Sequence, residues 1–151
     1  YAAVLKSISE SNTRQDAALV DSEPDPWKAI ALYLEKRTDF IIKYHHILEY
    51  LKTYTPLNMP PELESLFTHF REQELGRVTA ILERSKERGL FRMEDPRKTA
   101  ELFYDFLEGF RYATLSRSGM LFPEKKQFLA ILKKEKEFGR IFFNGLAFNI
   151  P

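Results

Sequence analysis

One spacing constrains this chain more than any other feature. Wherever apolar residues gather they recur three and four positions apart, and no stretch alternates with the period of two that a half-buried strand requires. Residues three and four apart share one face of an α-helix, so the sequence predicts an all-α fold. In the first segment Tyr1, Val4, Leu5, Ile8, Ala18 and Leu19 keep this spacing around the polar "ESNTRQD"; it runs to about Val20 or breaks midway. "DSEPDP" is a loop, and Asp25 is placed to cap a helix whose first turn accepts Pro26, because proline there lacks only an amide that would be unpaired anyway. "TPLNMPP", with three prolines in six residues, ends that second segment. A third runs from Pro61 to Arg88, where Gly89 is a natural left-handed C-cap. Asp95-Pro96 opens a fourth that reaches about Arg117, "SRSGMLFP" is a loop, and the last helix spans about Pro123 to Phe148.

The widths of the apolar faces say more than their positions. In the second segment Trp27, Ile30, Ala31, Leu34, Thr38, Ile41, His45 and Leu48 form one stripe, and Tyr33, Phe40, Tyr44, Ile47 and Leu51 a neighbouring one. That segment is long, and a break near "KYHH" would divide it into two helices. The expectation is therefore an antiparallel bundle of about six helices in one domain, residues 1–151. The third segment turns Leu63, Leu66, Phe67, Phe70, Val78, Ile81 and Leu82 inward.

The fourth segment is wider still. Advancing about 100° per residue, Gly109, Leu102, Ala113, Phe106, Phe110, Phe103, Thr114 and Leu107 cover an arc of roughly 180°. A surface helix normally buries about 100°, so this helix has two things to contact. The arc divides by size. Gly109 and Ala113, flanked by Leu102 and Phe106, form a low edge where another backbone can approach. Phe103, Leu107, Phe110 and Thr114 form a bulky edge for the interior. In the last segment Phe128, Ile131, Leu132, Phe138, Phe142, Phe143 and Leu146 share a side, while Ile141 stands apart and Gly139 and Gly145 interrupt. Two consecutive helices with excess apolar width suggest a two-fold, four-helix subunit interface, with Phe106, Gly109, Ala113, Phe138, Ile141 and Phe142 as its face. The other reading of the same pattern is two central helices of a monomer.

Composition removes several functions. Lys+Arg 23 against Asp+Glu 22 leaves a formal net charge of +1 over 151 residues, which argues against a domain built to grip nucleic acid or an anionic membrane surface. There is no cysteine, hence no disulfide or thiol chemistry. No apolar run approaches the roughly 20 residues of a membrane span and no signal peptide is visible, so the expected location is cytoplasmic.

Chemistry-bearing residues do not converge. His45 and Glu49 lie four apart on one helix face, but a tetrahedral metal site needs further ligands and none follow at suitable spacing; no metal and no cofactor are expected. His45, on the apolar stripe, reads as a core or pocket residue donating one hydrogen bond, and His46 points to the polar side. No nucleophile elbow or phosphate loop is present, so the chain is not expected to be an enzyme. Glu62 and Glu64, Glu72 and Glu74, and "KKEKE" (Lys133 to Glu137) read as solvated helix faces.

"RGLFRMEDPRKTAELFYDFLEGF" resembles the segment that joins the seventh and eighth helices of TetR-family transcriptional regulators. Asp95, Pro96, Ala100, Phe103 and Gly109 stand where that family's pattern wants them. "YAAVLKSIS" is similar to its fourth helix, and "DPWKAIALYLEKRTDFIIKYHHILEYL" to its fifth and sixth. The resemblance covers the chain in order and spacing but rests on pattern, not on invariant chemistry. It implies an effector-binding and dimerisation domain, residues 1–20 being the link to a helix-turn-helix DNA-binding domain ahead of Tyr1. Expected partners are a second copy of the chain, a small hydrophobic effector, and operator DNA only through that N-terminal domain.

Rings from three helical segments that pack imperfectly leave an apolar cavity suited to such an effector. Its expected lining is Trp27, Ile30, Leu34, Ile41, Tyr44, His45, Phe67, Phe70, Val78, Phe103, Leu107 and Phe110. No carboxylate is expected to face inward, which disfavours a cationic effector. A helical protein–protein interaction module without a cavity is the competing reading.

Overall fold

The computed structural model describes residues 2–51, 57–119 and 123–147, leaving aside the side chains at 2, 4, 5, 9, 11–13 and 47–51. Among the described residues five helices carry the fold: α1 (Ala2–Asp21), α2 (Pro26–Leu51), α3 (Pro61–Glu87), α4 (Pro96–Ser118) and α5 (Lys125–Leu146). The all-α expectation holds. α2 runs unbroken through "KYHH", and α1 through its polar centre. Tyr1, the side chains expected to be apolar at Val4, Leu5, Ile47, Leu48 and Leu51, and the chain beyond Ala147 lie outside what is described.

Both Asp-Pro starts are capped as their chemistry requires. Asp25 Oδ1 accepts from the amides of Trp27 (2.9 Å) and Lys28 (3.3 Å), and Asp95 Oδ1 from those of Arg97 (3.0 Å) and Lys98 (3.2 Å). α3 ends in a Schellman turn. Gly89, at φ 73°, donates its amide to Lys86 O (3.0 Å), and Leu90 donates to Ser85 O (2.9 Å). Leu90 then packs on the core and leads the chain to Phe91, whose neighbour Arg92 donates to Leu146 O at 2.7 Å, tying this turn to the end of α5.

Paired contacts fix the directions. Trp27, Arg37 and His45 of α2 meet Asn144, Glu135 and Phe128 of α5 in descending order, so these two helices are antiparallel. α1 and α3 run parallel: Glu10 faces His69 and Asp21 faces Arg84. α2 packs chiefly on α5 and α3 on α4, while α1 lies across α2 and α3.

One principal core fills the bundle. Val20, Ile30, Leu34, Val78, Ile81, Leu82, Phe103, Leu107 and Phe143 belong to it. The abundance of rings has a packing explanation. Trp27 stands edge-on to Phe91 (5.2 Å), Phe91 edge-on to Phe143 (5.1 Å), and Phe103 touches Phe138, Phe142 and Phe143 at 5.1–5.6 Å. Offset and edge contacts of this kind add to what area burial provides. A second, smaller cluster of Leu63 and Leu66 with Met59, Phe67 and Phe70 lies at the start of α3.

Candidate functional site

The residues expected to line an effector cavity separate into two groups. Ile30, Leu34, Val78, Phe103 and Leu107 are buried in the principal core, and Trp27 packs against it while donating its Nε1–H to Asn144 Oδ1 at 2.8 Å. Ile41, Tyr44, His45, Phe67, Phe70 and Phe110 are only half-buried. Several of these six gather beyond the middle of α2. Phe40 lies 4.8 Å from Tyr44 and 6.4 Å, edge-on, from Phe70; His45 stacks obliquely on Phe128 at 5.6 Å and donates Nδ1–H to Ile42 O (2.8 Å). His46 is exposed.

Between these two apolar regions lies a polar cluster on which four helices converge. Arg37 of α2 is buried and donates from Nη1 to Glu135 Oε2 of α5 at 3.1 Å; its Nη2 is bonded to Glu108 of α4. Glu108 also accepts from Arg111 at 2.7 Å. Two guanidiniums lie over the Tyr104 ring, Arg37 at 5.7 Å and Arg71 of α3 at 5.6 Å from its centroid, and Arg71 pairs with Asp105 at 3.5 Å. Tyr33 of α2 is fully buried, with Glu74 of α3 as its principal charged neighbour. Tyr33 Oη, Glu74 Oε2 and Thr114 Oγ1 are buried without a hydrogen-bond partner.

Desolvation dominates the electrostatics here. Burial raises the Glu135 carboxyl above the ordinary carboxylate value, against the pull of Arg37 and Arg111. Burial, with the charge of Glu74, pushes the Tyr33 hydroxyl well above its usual value, so it keeps its proton. Burial together with the like charge of Arg37 brings Arg111 down to about 10.

This cluster corrects the expectation that no carboxylate faces inward. Glu135, in the middle of "KKEKE", is 2% exposed, and Glu74 turns one oxygen inside. Glu135 reads as solvated from the sequence because its immediate neighbours are charged, and Glu74 because it stands two residues from Glu72 on one helix, where the two do not face each other. The available signal was position: Glu135 falls four residues after Ile131 and eight before Phe143, both buried on the inner face of α5. Arg37 likewise follows Tyr33 and Leu34 at helical spacing.

Of the residues expected at a subunit interface, Phe106 of α4 and Phe138 and Phe142 of α5 are in ring contact. Phe106 is 60% exposed and Ile141 57%, Gly109 is exposed, and Ala113, Phe138 and Phe142 are half-buried. Phe106 and Phe138 are nearly parallel with centroids 6.2 Å apart, and Leu102, one turn before Phe106, is 52% exposed. The size division of the α4 arc is present: Phe103 and Leu107 are inside, while Phe110 and Thr114 are half-buried.

Two open hollows are lined by described residues. Glu64, Ser65, Thr68, His69 and Glu72 line one on α3, and Asp21 to Pro24 and Pro26 with Ala29, Ile81, Arg84, Ser85 and Arg88 line the other. Neither contains a residue expected to bind effector. Among the described residues no group of three metal-ligating side chains converges, and no helix is long and apolar enough to cross a membrane. No family model, curated protein or solved structure matches the chain.

Proposed function

We propose that this chain is the regulatory domain of a TetR-like transcriptional repressor, binding a small hydrophobic effector and dimerising through α4 and α5 to control DNA binding by an N-terminal domain. The observation that carries the reading is the two-helix apolar face. Leu102, Phe106 and Ile141 are more than half exposed, with Gly109 beside them and the rings of Phe138 and Phe142 at their margin. Contiguous exposed apolar surface across two helices, with a glycine that permits close approach, suits a second copy arranged as a four-helix bundle. The half-buried rings around Phe40, Tyr44 and Phe70 supply the apolar half of an effector site, and the buried polar cluster its few polar groups. Effector binding would act by preferring one of two bundle arrangements, since a ligand of equal affinity for both moves nothing. Light scattering at micromolar concentration tests the dimer: the reading requires a species of twice the 17.8 kDa chain mass, and a monomer refutes it.

A helical interaction module without a ligand is the second reading. It is favoured by the tight burial of Ile30, Leu34, Val78, Phe103 and Leu107, which leaves those five no surface to offer an effector. A thermal-shift screen separates the two, because a ligand that binds only the folded chain raises its melting temperature by mass action.

A further inference from the structure

We infer that Arg37 is the positioning residue of the α4–α5 dimer face: lodged behind the seam between those two helices, its guanidinium sets their spacing, so that a displacement of α2 reaches the subunit interface. The inference rests on the dimer reading above and adds how that interface is held and adjusted.

The two helices that present the face are not each other's main partners. α5 packs chiefly on α2 and α4 on α3, and of the helix pairs that pack together α4 and α5 share the thinnest contact. Rings close one part of the seam: Phe103 lies 5.6 Å from Phe138 and 5.1 Å from Phe142, and Phe106 lies 6.2 Å from Phe138. Aromatic pairs are satisfied over centroid separations of about 4.5–7 Å, so the rings alone leave the spacing soft.

A second fastening of the seam comes from α2. Arg37 is 6% exposed. One terminal nitrogen donates to Glu135 of α5 at 3.1 Å, and the other is bonded to Glu108 of α4. Two carboxylates on neighbouring helices thus stand within the width of one guanidinium. Without that cation they would repel across the seam, where burial weakens the screening of charge. The guanidinium is planar and its donors are fixed relative to one another, so bonds to both helices define a separation that the rings do not. Arg111 bonds Glu108 and acts on Glu135, but it belongs to α4 and does not tie the seam to α2. Glu108 is followed at once by Gly109, and Glu135 precedes Phe138 by three residues, so both carboxylates sit directly behind positions of the face. On α2 itself Arg37 stands between Tyr33 of the core and Phe40 and Tyr44, half-buried rings of the proposed effector site. A shift of α2 therefore pulls on α4 and α5 together.

Sedimentation equilibrium across a dilution series gives the dimer dissociation constant of the parent and four variants. Arg37→Met should raise it at least tenfold, although residue 37 is buried and away from the face. Arg37→Met with Glu135→Leu separates positioning from stability. Its melting temperature should return close to the parent's while dimerisation stays at least fivefold weaker, because Glu108 has lost its tie to α2 and α5. Arg37→Lys keeps the buried charge but not the planar fork; it should weaken dimerisation at least threefold with a parent-like circular dichroism spectrum. Val20→Ala is the control. Val20 is buried at the end of α1, which among the described residues packs on α2 and α3 and not on α4 or α5; the variant should melt lower yet dimerise within twofold of the parent. Parent-like dimerisation by the double variant, or by Arg37→Lys should the double variant not fold, overturns the positioning role while the dimer stands. A loss in Val20→Ala as large as that in Arg37→Met does the same. A parent that stays monomeric removes the dimer reading itself, and the inference with it.

Discussion

Arg37 and Glu135 form the most deeply buried ion pair described in the bundle, with side chains 5% and 2% exposed and joined at 3.1 Å. Removing one member of such a pair strands the other charge away from water, which costs about 3–5 kcal/mol. Two features of this cluster hold the expected loss near the lower end. Glu108 still engages Arg37 when Glu135 becomes leucine. Arg111 still acts on Glu135 when Arg37 becomes methionine, and a carboxyl already raised by burial can escape by taking a proton. Each single substitution should therefore destabilise by about 3 kcal/mol, or roughly 6–12 °C for a chain of this size. The double substitution Arg37→Met with Glu135→Leu should fall within about 1 kcal/mol of the parent, because apolar replacements of a buried pair are often neutral. Urea unfolding followed by circular dichroism and by fluorescence of Trp27, the one tryptophan, measures all four corners of the cycle. pH provides an internal control. Glu135 is raised in the folded state, so between the ordinary carboxyl value and its raised value the folded chain holds more protons than the unfolded one. Its contribution is fully present below the ordinary value and is lost as pH climbs through the raised one. In Arg37→Met the carboxyl loses its main cation, that window widens, and the variant should lose more stability than the parent does as pH climbs above the ordinary carboxyl value. Single losses below about 1 kcal/mol that simply add in the double variant would refute the view that this pair is coupled.

Three further outcomes follow from the geometry. Gly139→Ala should stabilise by about 0.5–1 kcal/mol in thermal or urea unfolding; the position is buried within α5, and a Cβ there would meet Leu34 Cδ1 and Phe103 Cζ at 3.7 Å, ordinary contact distance. Asp95→Ala should cost about 1 kcal/mol in the same assay by removing the acceptor for the Arg97 and Lys98 amides. Phe106→Lys, at a ring 60% exposed in the single chain, should leave circular dichroism and melting of the monomer within about 0.5 kcal/mol of the parent, yet shift the species seen by light scattering toward 17.8 kDa.

Helix boundaries and the core were the legible part of this molecule because each is decided within one helix. Asp25-Pro26, Asp95-Pro96 and Gly89 act through their own backbone neighbours, so the residues that start or stop α2, α3 and α4 can be recognised without knowing what lies beside them. The division of α4 is similar. Phe103 and Leu107 inside, with Leu102, Phe106 and Gly109 outside, follows from angle and size alone. The ring-lined site was legible only in part: rings at helical spacing identify a buried face, but whether Phe103 fills space or borders a cavity depends on Phe138, Phe142 and Phe143 of another helix.

The polar cluster escaped for a related reason. Glu135 is flanked by Lys133, Lys134, Lys136 and Glu137, and Arg37 by Lys36, Thr38 and Asp39, so each taken alone joins a run of polar residues that water would satisfy. A buried charge becomes tolerable only when an opposite charge stands across from it. That complement is a property of register between helices, set here by Trp27 against Asn144 at one end of the α2–α5 pair and His45 against Phe128 at the other. With these two contacts fixed, Arg37 must fall opposite Glu135, and two residues that each look like surface become core together. Glu74 belongs to the same interior, where its charge acts on Tyr33, Arg37 and Arg111.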